Sequence, residues 1–167
     1  MIKTLPESPK IKERSVPMTA KETAKEVLDG HNLLRIATID SDGLPCVRSV
    51  DFVVGDSEKV LYFITQKNSR KVQQIRNNGN IAFTIDHDCP TGDDLQKLKY
   101  IKGTGTAAVV EDPREMEKAV GLLMQKFPFL KDLPGDPSDF VGIKVELKEV
   151  LVTDNTIQFG HTETVAY

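Results

Sequence analysis

The segment Thr65-Gln66-Lys67-Asn68-Ser69-Arg70-Lys71 holds the residue types and spacing in this chain best suited to chemistry. Residues 60–65 read as a strand, short and rich in branched and aromatic side chains, and Ser69 reads as the N-cap of a helix running from residue 70 to about 77. The first turn of a helix presents backbone N–H groups with no intrahelical acceptor, at the positive end of the helix dipole. A hydroxyl at Ser69 and the cations of Arg70 and Lys71 add directional donors and formal charge, a set that suits a phosphate monoester. On the preceding strand Arg48 lies among apolar neighbours in Pro45-Cys46-Val47-Arg48-Ser49-Val50. Arginine is seldom buried unless paired, so its partner is either a ligand phosphate or a carboxylate such as Asp51.

Charge placement adds to this. Residues 59–85 contain Lys59, Lys67, Arg70, Lys71 and Arg76 and no Asp or Glu, a local +5 in a chain of net charge −3, so the rest carries −8. A compact basic cluster suits one small anion better than a long polyanion, and the acidic whole argues against a general nucleic-acid binder. The same cluster is also readable as a solvated helix face, which keeps both readings open. Asp86-His87-Asp88-Cys89 gathers metal-ligating types, but adjacent strand residues point to opposite faces, so a polar loop and no metal is expected. Cys46 reads as a small core residue and Cys89 as a loop thiol; two cysteines exclude a disulfide scaffold. No spacing marks a Ser-His-Asp or Cys-His set, and catalytic residues stay unassigned.

The elements that must position these residues follow from pattern. A chain of 167 residues suits one domain that buries about 70% of its unfolded surface. The proline-bearing start (Pro6, Pro9, Pro17) reads as an extended arm over residues 1–18, ahead of a single domain over 19–167. It lacks the apolar core of a signal peptide, and no apolar run approaches the ~20 residues of a membrane span, so a soluble cytoplasmic protein is expected. Thr19 and Glu22 have capping-box spacing for a helix over 20–29, stopped by Gly30 in a left-handed conformation. Strands over 33–39, 45–54 and 60–65 read as an antiparallel meander, its first turn using Gly43 at positive φ. After the short helix come strands over 80–86 and 97–110, with a polar loop between them; Gly103 and Gly105 signal a bulge or close backbone approach. Asp112-Pro113 opens a helix carrying Met116, Ala119, Val120, Leu123 and Met124, more readily core than cofactor contacts. One or two strands over 140–153 follow, and residues 157–159 read as a short edge. This order lacks βαβ alternation. It predicts a mainly β fold with flanking helices: an antiparallel barrel of six to seven strands.

Taken in order, these segments resemble the pyridoxamine 5'-phosphate oxidase-like family, the FMN-binding split barrels. The resemblance spans about residues 19–154. It rests on the first helix, Leu33-Leu34-Arg35-Ile36-Ala37-Thr38-Ile39, the Asp42-Gly43 turn with Pro45 and Arg48, Leu61-Tyr62-Phe63-Ile64-Thr65, the Ser69-Arg70-Lys71 helix start, Asn78-Gly79-Asn80, and the strand ending Gly105-Thr106-Ala107-Ala108-Val109-Val110-Glu111-Asp112. The resemblance implies that Arg48, Ser69, Arg70 and Lys71 hold the FMN phosphate. By the same token Arg48, Ser49, Val50, Ile64 and Thr65 line the ribityl chain and ring, and Tyr100 falls near a Gln of the oxidases. It implies a homodimer with flavin at the interface, reached by the arm and by Phe159-Gly160-His161. Two departures point away from pyridoxamine phosphate oxidation. Val53 stands where the oxidases carry a substrate-binding Lys, and the C-terminal segment lacks their Arg-Leu-His ending. The chain looks more like the general-stress-protein-like or uncharacterised flavin-binding members. The implied activity is electron transfer from a reduced nicotinamide to a small organic acceptor; the alternatives are a non-enzymatic flavin carrier or redox-responsive stress protein, or the same barrel holding F420 or haem.

Overall fold

A computed structural model describes residues 18–132 and 134–167, so most of the expected arm lies outside the described residues. The first helix, α1 (Ala20–Gly30), opens on the expected capping box. Thr19 Oγ1 accepts from the Glu22 amide at 3.3 Å, and Glu22 Oε2 accepts from the Thr19 amide at 2.8 Å. Its Ala24, Val27 and Leu28 are buried. Its end differs from expectation: Gly30 does not adopt positive φ, and the chain leaves through an extended His31. Side chains satisfy the exit instead. The His31 ring bonds Val27 O at 2.7 Å, and Lys126 Nζ donates to His31 O at 2.6 Å.

Strands β1 (Leu33–Ile39) and β2 (Pro45–Asp51) form the expected hairpin, with Leu33 opposite Asp51 and Ile39 opposite Pro45. Gly43 takes φ 79° in the turn, where Asp40 Oδ1 accepts from the amides of Asp42 and Leu44. The meander continues only through an interruption. Phe52 breaks the strand, and β3 (Val53–Val54) pairs with β4 (Val60–Gln66), whose other edge pairs with β7 (Phe140–Asp154) rather than with β2. The break has a physical cause. The Phe52 side chain is fully buried and its amide still keeps the β1–β2 register by donating to Asn32 O at 3.1 Å, but its carbonyl accepts from Lys126 Nζ at 3.1 Å, a side chain of α4 and not a strand neighbour.

The remaining α-helices and strands are α2 (Arg70–Asn77), β5 (Asn80–Ile85), α3 (Gly92–Lys97, which takes up the end of the expected polar loop and the first residue of the strand expected over 97–110), β6 (Lys99–Val109), α4 (Pro113–Lys126) and β8 (Thr162–Ala166). The sheet runs β2-β1-β5-β6-β7-β4-β3, with β8 beside β7. One edge of the long β7 follows β6; the other pairs with β4 over 140–146 and with β8 over 149–153. Because β2 and β3 end the strand order yet are joined through Phe52, the antiparallel sheet curls into a split barrel. The β6–β7 ladder shifts register between Thr104 and Gly105, and a Cβ on Gly103 or Gly105 would run into the carbonyl oxygens of Glu149 or Glu146. The expected edge over 157–159 is absent. Those residues lie in the β7–β8 turn, with Ile157 and Phe159 exposed.

A main core fills the barrel, and a second cluster (Val53, Tyr62, Ala119, Leu123 and Phe127) joins β3 and β4 to α4. Within the expected α4 stripe, Ala119 and Leu123 are buried and Met116, Val120 and Met124 half-buried. No helix among the described residues is long and apolar enough to cross a membrane. Lys126 pins the Phe52 corner to the end of α1, its ammonium lying 4.3 Å from the Phe52 ring centroid. Lys126→Met keeps the stem but strands two carbonyls, and is expected to lower unfolding free energy by about 2 kcal/mol in a urea titration. An unchanged midpoint would mean water replaces the ammonium without cost.

Candidate functional site

Helix α2 begins where Gln66 ends β4, because Ser69 N donates to Gln66 O at 3.1 Å and closes the turn. Ser69 has the extended backbone of an N-cap, yet its side chain makes no capping bond. Its Oγ is buried and has no hydrogen-bond partner among the described residues. Thr19, Thr91, Asp112 and Asp136 all accept from backbone amides at their own caps. A buried, unpartnered hydroxyl costs free energy unless something absent from the protein bonds it.

Two cations lie near each other, close enough for the Arg48 charge to act on Lys71. Lys71 Nζ donates to Thr65 Oγ1 at 2.9 Å, from the first turn of α2 to the end of β4. Arg48, from the inward face of β2, donates through Nη1 to Thr38 Oγ1 and through Nη2 to Gln74 Oε1 at 3.0 Å. Asp51 does not pair with it; three positions along the strand, that carboxylate belongs to the opposite face. None of Arg48, Arg70 and Lys71 has a carboxylate within 4.0 Å among the described residues. Burial pushes the Lys71 pKa down, and the Arg48 charge adds to the shift. Burial also lowers the Arg48 pKa; nearby Cys46 offsets part of this, and Arg70 deepens it. Desolvated, mutually repelling cations beside an orphaned hydroxyl and a helix N-terminus fit an anion with several acceptor oxygens. These are the residues that could hold a phosphate group.

The other expected site residues are placed as follows. Thr65 is buried and belongs to the cluster through Lys71. Arg70 is exposed, and its charge helps to lower the pKa of Asp40, whose main cause is the Leu44 amide. Ser49 is exposed on the other face of β2, while Val50 packs on the barrel core. The Ile64 side chain packs on the α4-side cluster, away from Thr65. Tyr100 lies half-buried at the start of β6, opposite Thr153, with no hydrogen bond to the cation cluster. Clefts of about 550 Å³ (between α1 and residues 54–58) and 330 Å³ (beside α4) include none of these residues.

Sequence reasoning missed Thr38 and Gln74, and it placed Cys46 wrongly. Thr38 is fully buried and Gln74 6% exposed; they bond each other at 2.6 Å as well as Arg48. Cys46 is half-buried at the edge of this network, not a core residue; its Sγ accepts from Gln74 Nε2 at 3.3 Å and donates to Asp40 Oδ2 at 3.7 Å. Alternation along β1 places Thr38 inward with Leu34 and Ile36 and was a usable signal. Nothing local marks Gln74.

The family model for pyridoxamine 5'-phosphate oxidase matches residues 20–154. The chain belongs to that family. The match covers every strand of the barrel except β8. No curated protein matches the sequence. Among solved structures, a heme binding protein from Mycobacterium smegmatis is 17% identical, with a TM-score of 0.73, over 91% of this chain and 60% of that one. This oxidase-family chain therefore spans about three fifths of that relative's length. General Stress Protein 26 from Bacillus anthracis is 24% identical, with a TM-score of 0.63, over 90% of this chain and 100% of that one. The heme storage protein HutZ of Vibrio cholerae is 18% identical, with a TM-score of 0.65, over 78% of this chain and 92% of that one. At these identities the likeness establishes the fold.

Proposed function

We propose that the protein binds FMN through its phosphate and serves as a flavin-dependent oxidoreductase. The observation that carries this reading is the partly buried pair Arg48 and Lys71, without a carboxylate partner among the described residues, with the unpartnered Ser69 hydroxyl at the N-cap of the helix that carries Lys71. A phosphate monoester brings three acceptor oxygens and nearly two negative charges at neutral pH, which matches that donor set. Arg48, Ser69, Lys71 and the first-turn amides of α2 would grip the phosphate, with Arg70 at the rim. Residues 48–50 and Thr65 would border the ribityl chain. Bound FMN would supply two-electron chemistry between a reduced nicotinamide and a small organic acceptor.

The cluster lies outside both clefts of the single chain, and β2 is an edge strand whose Val47 is 70% exposed. Both features support a homodimer in which a second copy covers the flavin. On family likeness Tyr100 would face the flavin, and the N-terminal arm and the Phe159-Gly160-His161 segment would reach the partner subunit. The haem-related names of two structural relatives make haem the rival ligand. Two neighbouring cations near a helix start, with Arg70 at the rim, favour a terminal phosphate over two separated propionates.

The absorption spectrum of the protein purified from cells tests the ligand, flavin bands or added-FMN uptake being expected and a haem Soret band overturning the reading. Oxidation of a nicotinamide with turnover on an added acceptor separates an enzyme from a carrier. A pH dependence follows as well. The phosphate dianion takes up a proton near pH 6, so FMN affinity should hold above that pH and weaken as pH falls through it. Riboflavin affinity should stay flat over the same range. Parallel curves for the two ligands in fluorescence titrations would place the effect elsewhere.

A further inference from the structure

Gln74 has no role in the reading above, yet its polar side chain is buried beside the cluster, at 6% exposure on the second turn of α2. Two donors fix its amide orientation. Oε1 accepts from Thr38 Oγ1 at 2.6 Å and from Arg48 Nη2 at 3.0 Å, which leaves Nε2 to donate to Cys46 Sγ at 3.3 Å. Thr38 in turn accepts from Arg48 Nη1, so Thr38 and Gln74 close a ring around the inner edge of the guanidinium. Both are neutral. An arginine drawn into a fold is ordinarily paired with a carboxylate, which accepts its hydrogen bonds and also cancels its charge. Here the partly buried Arg48 gives one bond from each Nη to a neutral acceptor, and no carboxylate among the described residues lies within 4.0 Å of it.

We infer that Gln74 is a positioning and specificity-determining residue, which orients the Arg48 guanidinium while leaving its full charge for a dianionic phosphate. This rests on the proposed phosphate site and adds the residue that tunes it. A glutamate at this position has the same shape and could accept from the same donors. It would pair with Arg48 as a buried ion pair at hydrogen-bond distance and oppose an incoming phosphate. Affinity and stability should therefore move apart. Gln74→Glu should melt at or above the temperature of the unaltered protein, yet bind FMN more weakly. Damage to the fold would lower both together.

The experiment titrates FMN and riboflavin separately into the full chain, into Gln74→Glu and into Gln74→Met, with thermal melts alongside. For Gln74→Glu the FMN dissociation constant should rise about tenfold to a hundredfold, and the riboflavin constant should not move. Gln74→Met removes the acceptor without adding charge, and the preference for FMN over riboflavin should fall about threefold to tenfold. Inorganic phosphate should compete with FMN on the unaltered protein and lose that power on Gln74→Glu. If the unaltered protein does not prefer FMN to riboflavin, the phosphate site itself falls and the inference with it. If it does, and Gln74→Glu keeps the same preference, the inference alone is overturned. Equal losses for both ligands with Gln74→Met would overturn it too, as a purely structural role.

Discussion

Replacing Arg48 and Lys71 together with methionine is expected to raise the FMN dissociation constant by about two to four powers of ten. Each charge-assisted contact is worth about 1.5–3 kcal/mol. Riboflavin affinity should stay within about twofold, since methionine keeps the apolar stems that border a ring or ribityl chain. Both side chains are partly desolvated cations without a carboxylate partner among the described residues, so removing them relieves repulsion. The variant also gives up the bonds to Thr38, Gln74 and Thr65, so a modest drop in melting temperature is expected, and the steady riboflavin affinity separates loss of phosphate binding from loss of fold. Arg70→Met should cost less, because Arg70 is exposed and lies in the field of Asp40. Flavin fluorescence titrations at fixed ionic strength decide the matter. An FMN constant within threefold of the original would remove Arg48 and Lys71 as the phosphate site.

The second large effect is structural. Phe52→Ala is expected to lower the unfolding free energy by about 3–5 kcal/mol. The ring is fully buried in the main core, under the Lys126 ammonium, at the point where β2 passes into β3 and the sheet closes on itself. Truncation empties that corner and leaves Lys126 over a void. The damage should reach the site, because Arg48 stands four residues upstream on β2, and FMN binding should weaken even at temperatures where the variant stays folded. Phe52→Leu should recover most of both losses. A urea titration giving less than about 1 kcal/mol for the alanine variant would mean that the corner refills and that the closure does not depend on this ring.

The parts of the fold legible in the sequence are those written in local spacing. Thr19 and Glu22 announce α1 because a capping box is a contact between residues three apart, and Asp112 with Pro113 announces α4 in the same way. Gly43 and its turn follow from the conformational freedom of one residue. The expected left-handed Gly30 failed because the satisfying group comes from Lys126, far along the chain. The meander held only in part: residues 45–51 pair with β1 and residues 53–54 with β4, as expected. Alternation identifies a strand but not all its neighbours, and the longer partner of β4 is β7, which begins more than seventy residues later.

The candidate site divides along the same line. Ser69, Arg70 and Lys71 could be read as an anion site from sequence alone, because a helix start, a hydroxyl and two cations within three residues form one local arrangement. Arg48 could be singled out there, since an arginine among apolar strand residues must find a partner. Which partner was beyond local reasoning. Only the tertiary structure turns Arg48 away from Asp51, toward Thr38 and Gln74, and brings Lys71 onto Thr65. The physical reason is that hydrogen bonds and charge compensation depend on distances across strands and helices, which spacing along the chain does not encode. Residue types and their spacing determined that the chain could form a local phosphate-type cluster on a barrel; long-range pairing decided which cations are left without a carboxylate to receive one.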